Sequence, residues 1–331
     1  MTLRRTLLSA ATLLTLLPSL AGCNLVHAKE GAVPTGPMKK ISIGRLDLQV
    51  PADAELKMTG QVKEVRLSLD HLPAGQTFAA AWDARVKKIG SGSGNDPNPG
   101  HTVIRKTYPA TADHGQVYYE QGKDPQILVV VERWQMVGNI LVKGREEFEP
   151  KFLLDVERDM EAVFGHMSLQ APATREDFAI GPVTVHQTSQ GGAESTDASV
   201  AMALPVGDSG KLVPITLKVT SQVLSSPGSI TVLSRAKGPA QHTGDPDYDA
   251  KLLRAARRSA AGLEGEESVL TLSKKGGPAG SLRAEWGTPG KPGDDRAPQT
   301  ELRFGGNGEQ LSVPELLGYW DAILASLKYR Q

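Results

Sequence analysis

The stretch ISIGRLDLQV at residues 41–50 has a counterpart in FAIGPVTVHQ at residues 178–187, with Ile43-Gly44 against Ile180-Gly181. In the first, Ile41, Ile43, Leu46, Leu48 and Val50 alternate with polar residues, the period-two pattern of a strand with one buried face. The phase changes at Gly44, which predicts a bulge or kink in that strand. The second stretch restarts the layout of the first, so the chain reads as two related runs.

In the first run, VRLSLDHL alternates through Val65, Leu67 and Leu69. TFAAAWDARVKKI places Phe78, Trp82, Val86 and Ile89 on one helical face, and GSGSGNDPNPG ends that helix in a loop. Strands are expected at QVYYE, QILVVVERW and NILVK. A closing helix follows in PKFLLDVERDMEAVF, with Phe152, Val156, Met160 and Val163 inward. In the second run, strands are expected at ASVAMAL, LVPITLKV and SITVLS. YDAKLLRAARRSAAGL reads as a helix with Leu252, Leu253, Ala256 and Ala260 on one face, followed by strands at ESVLTLS, SLRAEW and TELRF. The closing helix, SVPELLGYWDAILASL, starts with a capping box of Ser312 and Glu315, carries Pro314 in its first turn, and buries Leu316, Trp320, Ile323 and Leu327. Both closing helices are opened by proline and a leucine pair, Pro150 with Leu153-Leu154 and Pro314 with Leu316-Leu317. Strands in runs joined by short turns argue for antiparallel pairing. The expected class is α+β, with two related domains at residues 41–168 and 177–331, each a mainly antiparallel sheet packed with helices.

The start of the chain bears on where it works. Arg4 and Arg5 precede a leucine-rich run at residues 6–20, about 15 residues and short of the ~20 a membrane-crossing helix needs. This is the pattern of a secretory signal. Leu20-Ala21-Gly22-Cys23 resembles the bacterial lipobox, and Cys23 is the only cysteine. The resemblance implies removal of residues 1–22 and lipid on Cys23; an ordinary signal peptide with an incidental cysteine is the plainer alternative. Asn24 suggests sorting to the outer membrane, with the protein held at its inner, periplasmic leaflet. Residues 23–40 read as the lipidated cysteine and a flexible tether. With the thiol committed to lipid, the mature chain has none for disulfides, catalysis or metal. The 331 residues carry 37 basic and 37 acidic side chains, a balance without the concentrated basic surface that nucleic acid requires.

Candidate chemistry is sparse. GDSGK at residues 207–211 surrounds Ser209 but lacks the second glycine of a nucleophile elbow, and a polar turn explains it more simply. Asp245, Asp247 and Asp249 alternate as in a calcium loop, yet the sixth and twelfth positions are Ala250 and Ala256; a helix cap at Asp247 or Asp249 is the simpler reading. Gly90 to Gly94 follow a helix instead of linking a strand to one, so they form no phosphate cradle. The seven histidines show no His-x-x-x-His pair; His27 falls in the tether, and His186 on an exposed strand face. The four tryptophans, Trp82, Trp134, Trp286 and Trp320, fall in regular elements and read as core, with an interface anchor as the minority role. No catalytic residue, metal or cofactor is expected.

Taken together, the lipobox, IGRLDLQVPADAEL, the two-domain α+β body and the ending ELLGYWDAILASLKYR resemble the immunity proteins that neutralise the fourth class of type VI secreted lipase effectors. The resemblance implies a periplasmic protein that is no enzyme. It would clamp the lid region of an α/β-hydrolase phospholipase and so deny lipid access to the catalytic serine. Candidate contact loops surround Asn95, His242 and Asp294, although for any single one of them a solvated turn is the better reading. An envelope scaffold or assembly lipoprotein is the alternative function, and a hydrolase using Ser209 stands behind it.

Overall fold

The computed structural model describes residues 36–92, 102–123, 126–172, 174, 177–186, 195–206, 211–223, 231–236, 247–277, 280–294, 297–307 and 311–329. The first run consists of β1 (Met38–Gly44), β2 (Leu46–Pro51), β3 (Glu55–Val62), β4 (Val65–Asp70), α1 (Phe78–Gly90), β5 (Val103–Thr107), β6 (His114–Lys123), β7 (Gln126–Val137), β8 (Ile140–Phe148), a 3-10 turn at Pro150–Phe152, α2 (Leu153–Phe164) and β9 (Met167–Ser168). The second consists of β10 (Phe178–Ile180), β11 (Val183–Val185), β12 (Ser195–Val206), β13 (Lys211–Gln222), α3 (Val232–Ala236), β14 (Tyr248–Arg257), β15 (Glu266–Lys274), β16 (Ser281–Thr288), β17 (Gln299–Asn307), α4 (Val313–Ser326) and β18 (Lys328–Tyr329). Each half is a short hairpin, a long hairpin, a helix, four strands, a closing helix and a two-residue strand.

The Ile-Gly stretches are the centre of this symmetry. Each forms a tight hairpin, closed by Ile43 opposite Leu46 and by Ile180 opposite Val183. Gly44 and Gly181 adopt φ of +59° and +57°, which glycine enters without steric cost. The phase change at Gly44 is therefore a chain reversal and not a bulge within one strand. The two hairpins then pair with each other, Ile43 opposite Ile180, at the middle of a six-stranded sheet ordered β18-β2-β1-β10-β11-β9. At its ends the halves exchange strands: β9 of the first pairs with β11, and β18 of the second pairs with β2.

A twelve-stranded antiparallel sheet, ordered β14-β15-β16-β17-β13-β12-β3-β4-β8-β7-β6-β5, also runs through both halves. They meet where β3 pairs with β12. The sequence pattern predicts no strand at β3, although Met58, Gly60 and Val62 share its inward face. Gly60 is required there: a Cβ would lie 2.7 Å from Ile180 Cδ1, so only hydrogen lets the small sheet close onto the large one. The inner face of the large sheet packs against the small sheet, α2 and α4 in one apolar core. On the outer face, α1 buries Phe78, Trp82 and Ile89 over Val117, Tyr119 and Leu141. The short α3 contacts β14, β15 and β16.

Two expected elements differ. Residues 248–257 form β14, an edge strand paired with β15 along its length, with a register shift between Leu252 and Arg254. Its alanine, leucine and arginine content favours helix, but none of its side chains is fully buried. The backbone ladder and the reach of Arg254 to Glu267 and Asp321 override that weak propensity. Asp247 and Asp249 therefore cap no helix. The first two residues of the expected strand SITVLS lie outside the described residues, and the rest opens α3: Thr231 Oγ1 accepts from Ser234 N–H at 3.2 Å, and Ser234 Oγ accepts from Thr231 N–H at 2.8 Å, closing a helical turn. A smaller correction concerns Phe152, which is exposed, while Phe164 joins Val156, Met160 and Val163 as the buried face of α2. The capping box of α4 forms as expected, Ser312 N–H donating to Glu315 Oε2 at 2.8 Å.

Candidate functional site

The outer face of the large sheet becomes polar where the halves join. Register alone assembles it. Lys143, Ser68, Thr59, Ser199, Lys218 and Arg303 stand opposite one another on β8, β4, β3, β12, β13 and β17. In the adjacent row, Arg145, Arg66, Gln61 and Asp197 do the same. All of these except Arg303 floor a cleft of about 860 Å³ walled by α1, to which both halves of the chain contribute. Six basic residues line it, Arg66, Arg85, Lys88, Lys143, Arg145 and Lys218, against the acidic Glu132 and Asp197.

Most of the cations are held in place. Arg85 Nε and Nη2 donate to the two oxygens of Glu132, each at 2.7 Å. Glu132 is buried and also accepts from Trp134 Nε1 at 2.8 Å. A buried carboxylate is tolerated only with such partners. Burial and the Glu132 charge push the Tyr119 hydroxyl up to about 12. Burial alone would lower the Arg85 guanidinium; its bonds to Glu132 outweigh that and hold it above its ordinary value. Lys143 donates to Asp70 at 2.6 Å, which lowers the Asp70 carboxyl, and rests 4.8 Å from the Trp134 ring centre. Lys218 pairs with Asp197 at 2.9 Å. The Arg66 side chain has no hydrogen bond or ion pair among the described residues. A fixed lattice of cations with one free guanidinium suits an anionic protein surface.

Of the residues singled out from sequence, Asp294 lies in the β16–β17 connection, where Ala297 N–H donates to its carbonyl at 3.2 Å. Cys23, Asn95, Ser209, His242, Asp245 and His27 lie outside the described residues. Trp82, Trp286 and Trp320 are buried, whereas Trp134 lines the cleft. Nothing in the sequence pattern singles out Arg66, Arg85 or Lys143. The alternation of Arg66 and Ser68, and of Asp197 and Ser199, showed that each strand has a polar face, but not that these faces adjoin.

His186 is not on a free strand face. Its Nε2 lies 2.7 Å from Ser168 Oγ, and its Nδ1 lies 3.4 Å from Oδ1 of the buried Asp177. A serine, a histidine and an aspartate in this order resemble a hydrolytic triad. The surroundings suit a clasp instead. Ser168 ends an edge strand paired with β11, with no glycine turn to present its oxygen. Gln170 N–H donates to Ser168 Oγ at 3.1 Å, and Thr174 N–H donates to Asp177 Oδ2 at 3.0 Å. The three side chains pin the segment that crosses from one half to the other. Among the described residues no cluster of His, Cys, Asp and Glu could hold a metal ion.

Residues 192–331 match the family model described as Tle cognate immunity protein 4 C-terminal domain. No curated protein matches the sequence. The likeness to solved structures extends over both halves. The apo structure of immunity protein TplEi of T6SS from Pseudomonas aeruginosa aligns with a TM-score of 0.59 at 14% identity, over 88% of this chain and 97% of that one. TplEi complexed with "L" peptide gives 0.57 at 15% identity, over 89% and 99%. The crystal structure of the Tle4-Tli4 complex gives 0.60 at 14%, over 88% and 97%. At such identities the likeness is one of fold.

Proposed function

We propose that this chain is an immunity protein that binds a type VI secreted phospholipase effector and blocks it. The family match of residues 192–331 carries the reading. The fold shared with Tli4, known in complex with Tle4, supports it. The cleft to which both halves contribute is the candidate seat for a protruding element of the effector. The element to be held is the lid of an α/β-hydrolase. Fixing one lid position shifts its population away from the open, lipid-admitting state without touching the nucleophile. The chain then works in the periplasm, anchored by lipid on Cys23 at the outer membrane, and has no catalytic activity of its own.

The test uses tagged chain starting at residue 23 with Cys23→Ser, incubated with periplasmic and secreted proteins of the native cell. The expected result is recovery of a phospholipase whose activity falls to zero near a 1:1 ratio. Recovery of envelope-building proteins alone, with that phospholipase fully active, would overturn the reading. A fluorophosphonate probe is expected to leave the chain unlabelled; labelling lost in Ser168→Ala would make the clasp an active site. Full-length chain with Cys23→Ala should leave the membrane fraction if the anchor is lipid.

A further inference from the structure

A second, smaller pocket of about 310 Å³ lies on the first half, between the β3–β4 turn, β8 and α2. Its walls carry Glu64 from the turn, Glu146 and Glu147 from β8, and Asp155 and Asp159 from α2. Two of the five are already served by a cation: Glu147 pairs with Arg145 at 2.7 Å, and Asp155 with Arg158 at 2.9 Å. Glu64 has only an amide donor, Gln61 Nε2 at 2.8 Å. The Asp159 side chain has no hydrogen bond or ion pair among the described residues.

Glu146 is the exception that calls for an explanation. It is 8% exposed, and its Oε2 is buried without a hydrogen-bond partner. Its strand neighbours Val142 and Phe148 lie in the apolar core. Arg66 also touches the pocket, but it stands opposite Gln61 and Arg145, in the polar row on the outer face of the sheet. A buried carboxyl that costs stability and satisfies nothing inside the chain is a mark of a site completed from outside.

From this arrangement, and resting on the effector-binding reading, we infer that the pocket is a socket for one basic side chain of the bound effector, seated between Glu146 and Asp159. A metal ion does not fit, since no three of the carboxylates converge closely enough to hold one. A guanidinium does: its five donors spread over a planar fork and reach carboxylates too far apart for a metal ion. The buried position makes the pair resistant to screening and gives it the character of an interface anchor.

The socket has a signature that a structural role lacks. Burial, then the charges of Asp159 and Glu64, hold the Glu146 carboxyl up to about 7, so it must release a proton to take the cation. Affinity for the effector should therefore rise about tenfold from pH 6 to pH 8. The experiment measures the Kd of the recovered phospholipase for wild type, Glu146→Gln and Asp159→Asn at both pH values. Glu146→Gln is expected to bind at least about tenfold more weakly at pH 8 and to lose the pH dependence attributable to this group. Asp159→Asn is expected to weaken binding while keeping that dependence. Wild-type affinity and pH profile retained in Glu146→Gln would overturn the socket and leave effector binding standing. A wild-type chain that binds no phospholipase would overturn both.

Discussion

Two buried glutamates, one in each half, show how a shared topology was put to different uses. Glu267 of β15 is 1% exposed beneath α4, and Glu146 of β8 is 8% exposed beneath α2. Glu267 is neutralised from within: its Oε1 takes two hydrogen bonds, and its Oε2, which takes none, has a guanidinium beside it. Trp320 Nε1 donates to it at 2.6 Å, Arg258 Nη1 donates at 2.8 Å, and Arg254 Nε lies 3.2 Å from its second oxygen. Both arginines continue to Asp321 on the same helix, so the network fastens the closing helix to the edge of the sheet. Glu146 has no such partners. Where a buried carboxylate is neutralised by arginines of the same chain, its role is structural. Where it is left open beside other acids, the chain is incomplete at that point.

The contrast breaks most visibly under removal of each carboxylate. Glu267→Ala leaves two arginines with Asp321 as their one remaining carboxylate and a buried indole N–H with no acceptor, and should cost about 3–5 kcal/mol in urea unfolding. Loss below about 1 kcal/mol would show that the network contributes little. Glu146→Gln should move the other way. The folded state holds the Glu146 proton up to about 7, against an ordinary 4.5. Its contribution is therefore fully present below about 4.5 and lost as pH climbs through 7. Relative to wild type, Glu146→Gln should gain on the order of 2 kcal/mol at pH 8, after allowance for its solvent-facing edge, and almost nothing at pH 4.5. Thermal melts at the two pH values check the sign.

The paired hairpins sharpen the comparison at a smaller scale. Gly44→Ala and Gly181→Ala force the same left-handed conformation and should each cost about 1–2 kcal/mol. The second should cost more, because its Cβ would lie 2.4 Å from Met58 Sδ, against 3.2 Å from Val219 Cγ1 for the first. Equal costs would mean that Met58 moves aside freely. The smallest effect is expected at Ala261, with φ +56° in the turn closed by Ala260 and Leu263. Ala261→Gly should stabilise by under about 1 kcal/mol, strain relief exceeding the entropy that glycine adds to the unfolded chain.

Local patterns settled much of this molecule. Side-chain alternation located β4, β6, β7 and β8. Helical spacing located α1, α2 and α4, and the Ser312–Glu315 box marked where α4 starts. The likeness of residues 41–50 to 178–187 disclosed the repeat. These are short-range properties, carried by spacing along one segment. Tertiary structure alone decided that the two hairpins pair with each other, that β3 joins β12, and that the halves exchange their last strands. It also turned a helix-forming stretch into edge strand β14, because a backbone ladder and buried ion pairs outweigh a few tenths of a kcal/mol per residue of propensity. The cationic cleft and the acidic pocket belong to the same category. Each gathers residues distant in the chain, Arg66 with Lys218 or Glu64 with Asp159, and spatial neighbourhood is set by strand register and packing, which no single segment encodes.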